Sequence, residues 1–200
     1  MAPVMAVAMG SALRSGLAPI RQEPEVVGGV PAGVLVPLVE GPQPHLVLTR
    51  RTDLVRHHKG EISFPGGVRH AEDPDLLTTA LREAQEELGI LAEAVQILGF
   101  LPPVHTIVSG FVIVPFVGVL PERVPMTPSP DEIDEVLELP VSALAAAERE
   151  VMATDGDGVT RGWFAYDVDG RVVWGATGRI VHSFLEALRR GGWAPPIEEG

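Results

Sequence analysis

Apolar residues recur along this chain in two rhythms. Residues 34–39 and 46–49 are short apolar runs separated by the turn residues Gly41-Pro42, and they read as two strands. Residues 95–101 and 111–120 are longer runs rich in β-branched and aromatic side chains, which suit a pleated, half-buried surface. Residues 135–139 add a further strand. Asp155-Gly156-Asp157-Gly158 and Val168-Asp169-Gly170 have the chemistry of hairpin turns and predict strands over 159–166 and 172–174. Helical spacing occurs twice. Leu77, Ala80, Leu81, Ala84 and Leu88 form one apolar stripe, with Asp73-Pro74 as its expected N-cap and first helical residue and Gly89 as its stop. Ile180, Phe184 and Leu188 form the other, ended by Gly191-Gly192. The four prolines of residues 121–130 predict a loop. The first ten residues, MAPVMAVAMG, predict a short helix or a loose terminus. No internal repeat is present. Strands interspersed with two main helices imply an α/β sandwich.

The polar side of the first helix changes the picture. Glu83, Glu86 and Glu87 stand at i, i+3 and i+4 and share one face. Carboxylates so spaced repel by roughly 0.2–0.5 kcal/mol per pair on an open helix. A cation among them turns that penalty into a binding site, and oxygen-only ligation suits Mg2+ or Mn2+. An acidic helix face alone is ordinarily solvated surface. Here the turn Phe64-Pro65-Gly66-Gly67 lies just upstream, where backbone can approach a ligand closely. A glycine loop, a capped amphipathic helix and a carboxylate face are thus joined in one unit. Glu83 and Glu87 are the principal candidate ligands, Glu86 is a further one, and a backbone carbonyl of Gly66 or Gly67 could complete the set.

That unit resembles the Nudix box, the loop-helix motif of hydrolases that cleave nucleoside diphosphates linked to another group. The match runs from Gly67 through Arg82-Glu83 and Glu86-Glu87 to Gly89-Ile90. The interval between glycine and arginine is one residue longer than usual, so the place of the motif's first glutamate falls on Glu72, Asp73 or Pro74. The flanks resemble the coenzyme A pyrophosphatase branch of that superfamily. They comprise Leu48-Thr49-Arg50-Arg51-Thr52 through Arg56, His58, Gly60 and Glu61 to Gly67, then Gly110-Phe111 with Val114-Pro115-Phe116. Pro130-Asp131-Glu132-Ile133, Glu135-Val136 and Trp174-Gly175 with Thr177 complete the likeness.

The resemblance implies a Nudix-type α/β/α sandwich with a mixed β-sheet over residues 28–190, after an N-terminal segment 1–27 and before a tail 191–200. It implies metal-dependent cleavage of the pyrophosphate of coenzyme A or acyl-CoA. ADP-ribose or an oxidised nucleoside triphosphate is the alternative substrate within the superfamily, and a nucleotide-binding regulator without turnover is the alternative from another class. A homodimer is implied as well.

Pyrophosphate hydrolysis requires charge neutralisation, an oriented water and a good leaving phosphate. The candidate catalytic residues are Glu86, Glu132 and Arg82, with Arg82 read as an orienting partner for a box glutamate. The general base stays open among Glu132, Glu61 and Glu86. The candidate metal set is Glu83, Glu86, Glu87 and Gly67. Arg51, Arg56 and His58, with Glu61, are the candidate substrate contacts, arginine being suited to phosphate by bidentate donation. No histidine pair has the spacing of a zinc site. Trp163, Phe164 and Trp174 read as core or interface residues rather than a base-stacking platform.

Composition narrows the class further. Two hundred residues suffice for one domain with a real core. A formal charge of −12 argues against a nucleic-acid backbone as main partner, but not against a small anion met through bound cations. Cysteine is absent, which removes disulfides, thiol nucleophiles and cysteine-ligated zinc. The apolar start lacks a basic leader region and is too short for a membrane span, so a soluble cytoplasmic protein is expected.

Overall fold

The computed structural model describes residues 2–20, 24, 26–52, 60–106, 109–121, 124–154 and 160–195. Its centre is β1 (Val30–Val39), buried on both faces. Alternate side chains of a strand point to opposite sides. Val34, Val36 and Leu38 therefore enter one core, while Leu35 and Val39 enter the other. In β2 (His45–Arg51), Leu46 and Leu48 join the first core and Val47 the second. Double-sided burial explains why residues 34–39 read as an unbroken apolar run rather than an alternation.

β7 (Phe111–Leu120) runs parallel to β1 along its full length, and β5 (Gln96–Phe100) pairs antiparallel beyond it. The short β6 (Val104–His105) also pairs with β7. β8 (Ile133–Pro140) takes the edge of β2 away from β1, and β3 (Ile62–Ser63) takes the opposite edge beyond β1, both antiparallel to β2. One edge of β1 changes partner partway: β4 (Gly66–Val68) takes Ala32–Val34, and β2 takes Leu38 and Val39. The sheet is mixed, as expected.

α2 (Leu76–Leu88) covers one face, setting Leu76, Ala80, Ala84 and Leu88 against Leu35, Val39 and Phe116. Its N-cap is Asp75, not Asp73: the Asp75 carboxylate accepts from Thr78 N at 2.7 Å. Pro74 lies ahead of the cap, because the Asp73 side chain is engaged elsewhere. Gly89 ends the helix at φ 70, a left-handed conformation that favours glycine.

The other face is covered by α1 (Ala2–Gly16) and α4 (Gly175–Arg190), which share a core with a small antiparallel sheet. That sheet comprises β9 (Glu148–Thr154), β10 (Thr160–Val168) and β11 (Arg171–Val173), in the order β11-β10-β9. α3 (Val141–Ala147) follows β8 directly. The two main helices expected are α2 and α4; α1 stands where a short helix or a loose terminus was expected, and α3 is additional. The β10–β11 hairpin turns where expected, at Asp169 and Gly170 with positive φ. The 155–158 turn lies outside the described residues. Trp174, expected as a core or interface residue, is not in the core: it is 56% exposed at the start of α4. Among the described residues no helix is long and apolar enough to cross a membrane.

Candidate active site

The site forms where β4 lies against α2. A side chain on Gly67 would put its Cβ 2.5 Å from the Glu83 carboxylate and displace it from its present place against the strand. One residue before Glu83, Arg82 is the hub of a charged network. Its Nη1 donates to Glu83 Oε1 at 2.8 Å and to Glu86 Oε2 at 3.0 Å. Its Nε and Nη2 donate to the two oxygens of Asp73 at 3.2 and 3.1 Å. Asp73 is buried and also accepts from His70 N and Thr79 Oγ1. The Arg82 hydrogen bonds are the main reason its carboxyl is held well below the usual range, overcoming the opposing effect of burial. Arg82 is pushed upward in return, chiefly by Asp73.

From sequence Asp73 was expected to cap the helix, and the place of the motif's first glutamate was open among Glu72, Asp73 and Pro74. Asp73 stands in the stretch where the motif's first glutamate belongs, and its carboxylate fixes the box arginine. The one-residue-longer interval was the signal that could have pointed to this.

Burial dominates the other two box carboxylates. It raises Glu83, partly offset by Arg82. It pushes Glu87 up to about 8, against the lowering influence of Arg51 and of a Gly66 backbone hydrogen bond, while Glu83 and Glu132 reinforce the rise. Glu87 is 2% exposed, and Arg51 Nη1 lies 3.5 Å from its Oε1. Among the described residues its Oε2 has no hydrogen-bond partner, and neither has Arg51 Nε. An unsatisfied buried polar group costs about 1–3 kcal/mol. Here an acceptor and a cationic donor in one ion pair are both left open, a pattern expected where a ligand completes the site.

Glu132 is brought to the same place by the proline-rich loop. Thr127 N and Ser129 N donate to the carbonyls of Leu88 and Glu87 at 2.8 and 2.9 Å, satisfying the end of α2. Thr52 N then takes the Glu132 carbonyl at 2.9 Å, and Thr52 Oγ1 that of Asp131. Glu132 lies 3.8 Å from Arg51 Nη2 with about half its side chain exposed. Arg51 therefore stands between Glu87 and Glu132.

A cleft of about 410 Å³ opens beside these residues. Arg51, Glu61, Phe64, Gly66 and Gly67 line it together with Thr106, Ser109, Phe111, Ala176 and Thr177. The volume falls in the range of small-molecule sites. Among the residues expected from sequence, the structure thus gathers Arg82, Glu83, Glu86, Glu87, Gly67, Arg51 and Glu132, with Glu61 on the cleft wall. Arg56 and His58 lie outside the described residues. The three helix carboxylates are shared between two arginines, and among the described residues no three acidic or histidine side chains converge on a single point that could hold an ion. The donors nonetheless suit a divalent cation, since Glu87 offers an orphaned oxygen and Glu83 is a carboxylate whose charge burial disfavours until a counter-ion arrives.

Comparison with known proteins places this architecture. A family model described as NUDIX domain matches residues 29–159. A protein of Photorhabdus laumondii called Uncharacterized Nudix hydrolase NudL is 35% identical over 159 residues, covering 79% of this chain and 84% of its own length. A protein of the same name from Salmonella paratyphi B is 40% identical over 152 residues, covering 75% and 78%. The chain belongs to the Nudix hydrolase family, whose members generally need divalent metal ions. Two solved structures share the fold. A MutT/nudix family protein from Enterococcus faecalis has a TM-score of 0.56 at 16% identity, covering 83% of this chain and 64% of that one. The MutT protein of Methanosarcina mazei Go1 has 0.54 at 14% identity, covering 85% and 100%.

Proposed function

We propose that the protein hydrolyses the pyrophosphate bond of coenzyme A or its acyl esters, giving adenosine 3′,5′-bisphosphate and (acyl-)4′-phosphopantetheine, in the cytoplasm. The observation that carries this reading is the composition of one cleft. Three stretches that resemble the coenzyme A branch are far apart in sequence, yet Arg51 and Glu61, then Phe111, then Thr177 all line it. Pockets select substrates and box carboxylates supply chemistry, so convergence on the pocket bears on the substrate.

Glu83 and Glu87 would hold Mg2+ or Mn2+, with Glu86 and the Gly67 carbonyl as further donors. Such an ion supplies charge neutralisation for the pyrophosphate oxygens. Arg51 orients a phosphate oxygen through its open Nε donor. Water attacks phosphorus, the bridging P–O bond breaks, and the water proton passes to a carboxylate. Glu132 suits that last task. It reaches solvent while anchored to α2 and β2, whereas Glu83 and Glu87 are enclosed and Glu86 is tied to Arg82. Arg82 is a positioning residue, set by Asp73 so that Glu83 faces Gly67.

The test is product identification. Purified protein incubated with coenzyme A and Mg2+ or Mn2+ is expected to yield the two named products by mass, and chelator should abolish the reaction. Intact coenzyme A alongside cleavage of ADP-ribose or an oxidised nucleoside triphosphate would overturn the substrate assignment.

A further inference from the structure

Part of the cleft wall is built by the start of α4, through Ala176 and Thr177. Gly178 N donates to Trp174 O at 3.1 Å, the first bond of the helix, so the N–H groups of Gly175, Ala176 and Thr177 precede any intrahelical acceptor. No side chain caps them: the N-cap residue is Trp174, whose indole is a donor only. A helix start of this kind carries partial positive charge and favours an anion.

An independent feature points into the same space. Thr177 is only 9% exposed, lines the cleft, and has a hydroxyl with no hydrogen-bond partner among the described residues. A buried threonine in a helix ordinarily turns its hydroxyl onto the preceding turn. Here no such bond forms among the described residues, and the residue lies in the cleft wall. The surroundings are fixed as well. Arg179 Nη1 donates to the His105 carbonyl at 2.8 Å, tying α4 to β6. The adjacent turn is closed by Ser109 Oγ to Thr106 Oγ1 at 2.7 Å and Phe111 N to Thr106 Oγ1 at 2.8 Å. Gly175, at φ 64, leaves open space where a side chain would stand.

We propose that the first turn of α4 and the Thr177 hydroxyl form a second anion subsite, which takes a phosphate monoester of the substrate separate from the scissile pyrophosphate. It rests on the coenzyme A reading only in naming that monoester as the 3′-phosphate. The pyrophosphate belongs beside Arg51 and Gly67, and the two anion sites together set the direction in which the substrate lies.

Two measurements test it. In the first, kcat and KM are determined for coenzyme A and 3′-dephospho-coenzyme A with wild type, Thr177→Val and Thr177→Ser. The wild type should show a KM about tenfold lower for coenzyme A, the scale of one or two hydrogen bonds to a charged group. Thr177→Val should raise the coenzyme A KM about fivefold and narrow that ratio to below about twofold, with kcat little moved, and Thr177→Ser should restore it. A ratio that survives Thr177→Val overturns the subsite. In the second, inorganic phosphate is titrated into 15N-labelled wild-type protein. Saturable shifts at the Ala176 and Thr177 amides are expected, and their absence overturns the subsite whatever the substrate. Phosphate shifts without coenzyme A turnover would keep the subsite and refute the proposed function instead.

Discussion

Glu87 is a carboxylate in surroundings that disfavour its charge. It is buried, raised to about 8, and leaves one oxygen without a partner beside an arginine whose Nε is equally open. Residues that break local rules in this way are expected at functional sites, where a ligand supplies what the fold withholds. Replacing Glu83 or Glu87 with Gln should lower turnover by at least ~100-fold, the scale of losing one principal electrostatic contribution to the transition state. The same changes should not lower the melting temperature, because burial disfavours the ionised form of both carboxyls and glutamine keeps their shape. Near-normal rates in both variants would refute the metal-site assignment. The spacing of Glu83, Glu86 and Glu87 was plain in the sequence, but their division between two arginines was not. Arg51 lies over thirty residues away in the chain and reaches Glu87 only because β2 crosses beside the end of α2.

At the scale of elements, α2 and the proline-rich loop act as one piece. The loop's N–H groups at Thr127 and Ser129 cap the last carbonyls of the helix, and three residues later the chain presents Glu132. Ser129→Pro deletes the donor to the Glu87 carbonyl and should cost about 1–3 kcal/mol. If Glu132 takes the proton, kcat should fall at least about tenfold with the circular dichroism spectrum retained. Unchanged kcat would show that loop placement does not matter to catalysis. Much of this level was legible from sequence: β1, β2, β5, β7 and β8 lie close to their expected positions, and α2 and α4 follow their apolar stripes. The start of α2 was misplaced because Asp73-Pro74 has cap chemistry, whereas Arg82 and Thr79 claim the Asp73 carboxylate and leave capping to Asp75. α3 was missed because a seven-residue, alanine-rich segment is too short to show a period, and it lacks a capping side chain. β9 was missed because Glu148, Arg149 and Glu150 disguise a strand whose partners come from later in the chain.

For the whole molecule, two cores on either face of one sheet hold the site, and a polar cluster closes the face opposite α2. Glu148 accepts from Tyr166 at 2.9 Å, His182 at 3.0 Å and Arg189 at 2.7 Å, joining β9, β10 and α4. Burial alone would raise this carboxyl, but the hydrogen bonds from His182, Arg189 and Tyr166 outweigh it and lower it below its ordinary 4.5. A carboxyl depressed in the folded state contributes stability that is fully present above the unfolded value and fades as pH falls through the folded one. Glu148→Gln should therefore cost ~2 kcal/mol at pH 7, roughly 4–8 °C in a protein of this size. The gap from wild type should shrink as pH drops below 4.5. A gap constant from pH 7 to pH 3 would contradict this.

The central claim is that a Nudix box supplies the chemistry while the cleft between β4, β7 and α4 selects coenzyme A. The most direct test is kcat/KM measured under matched conditions for coenzyme A, ADP-ribose, NADH and an oxidised guanosine triphosphate. Coenzyme A or an acyl ester should lead by about tenfold or more, a margin that needs only ~1.4 kcal/mol of differential transition-state binding. A clear preference for any of the other three would contradict it.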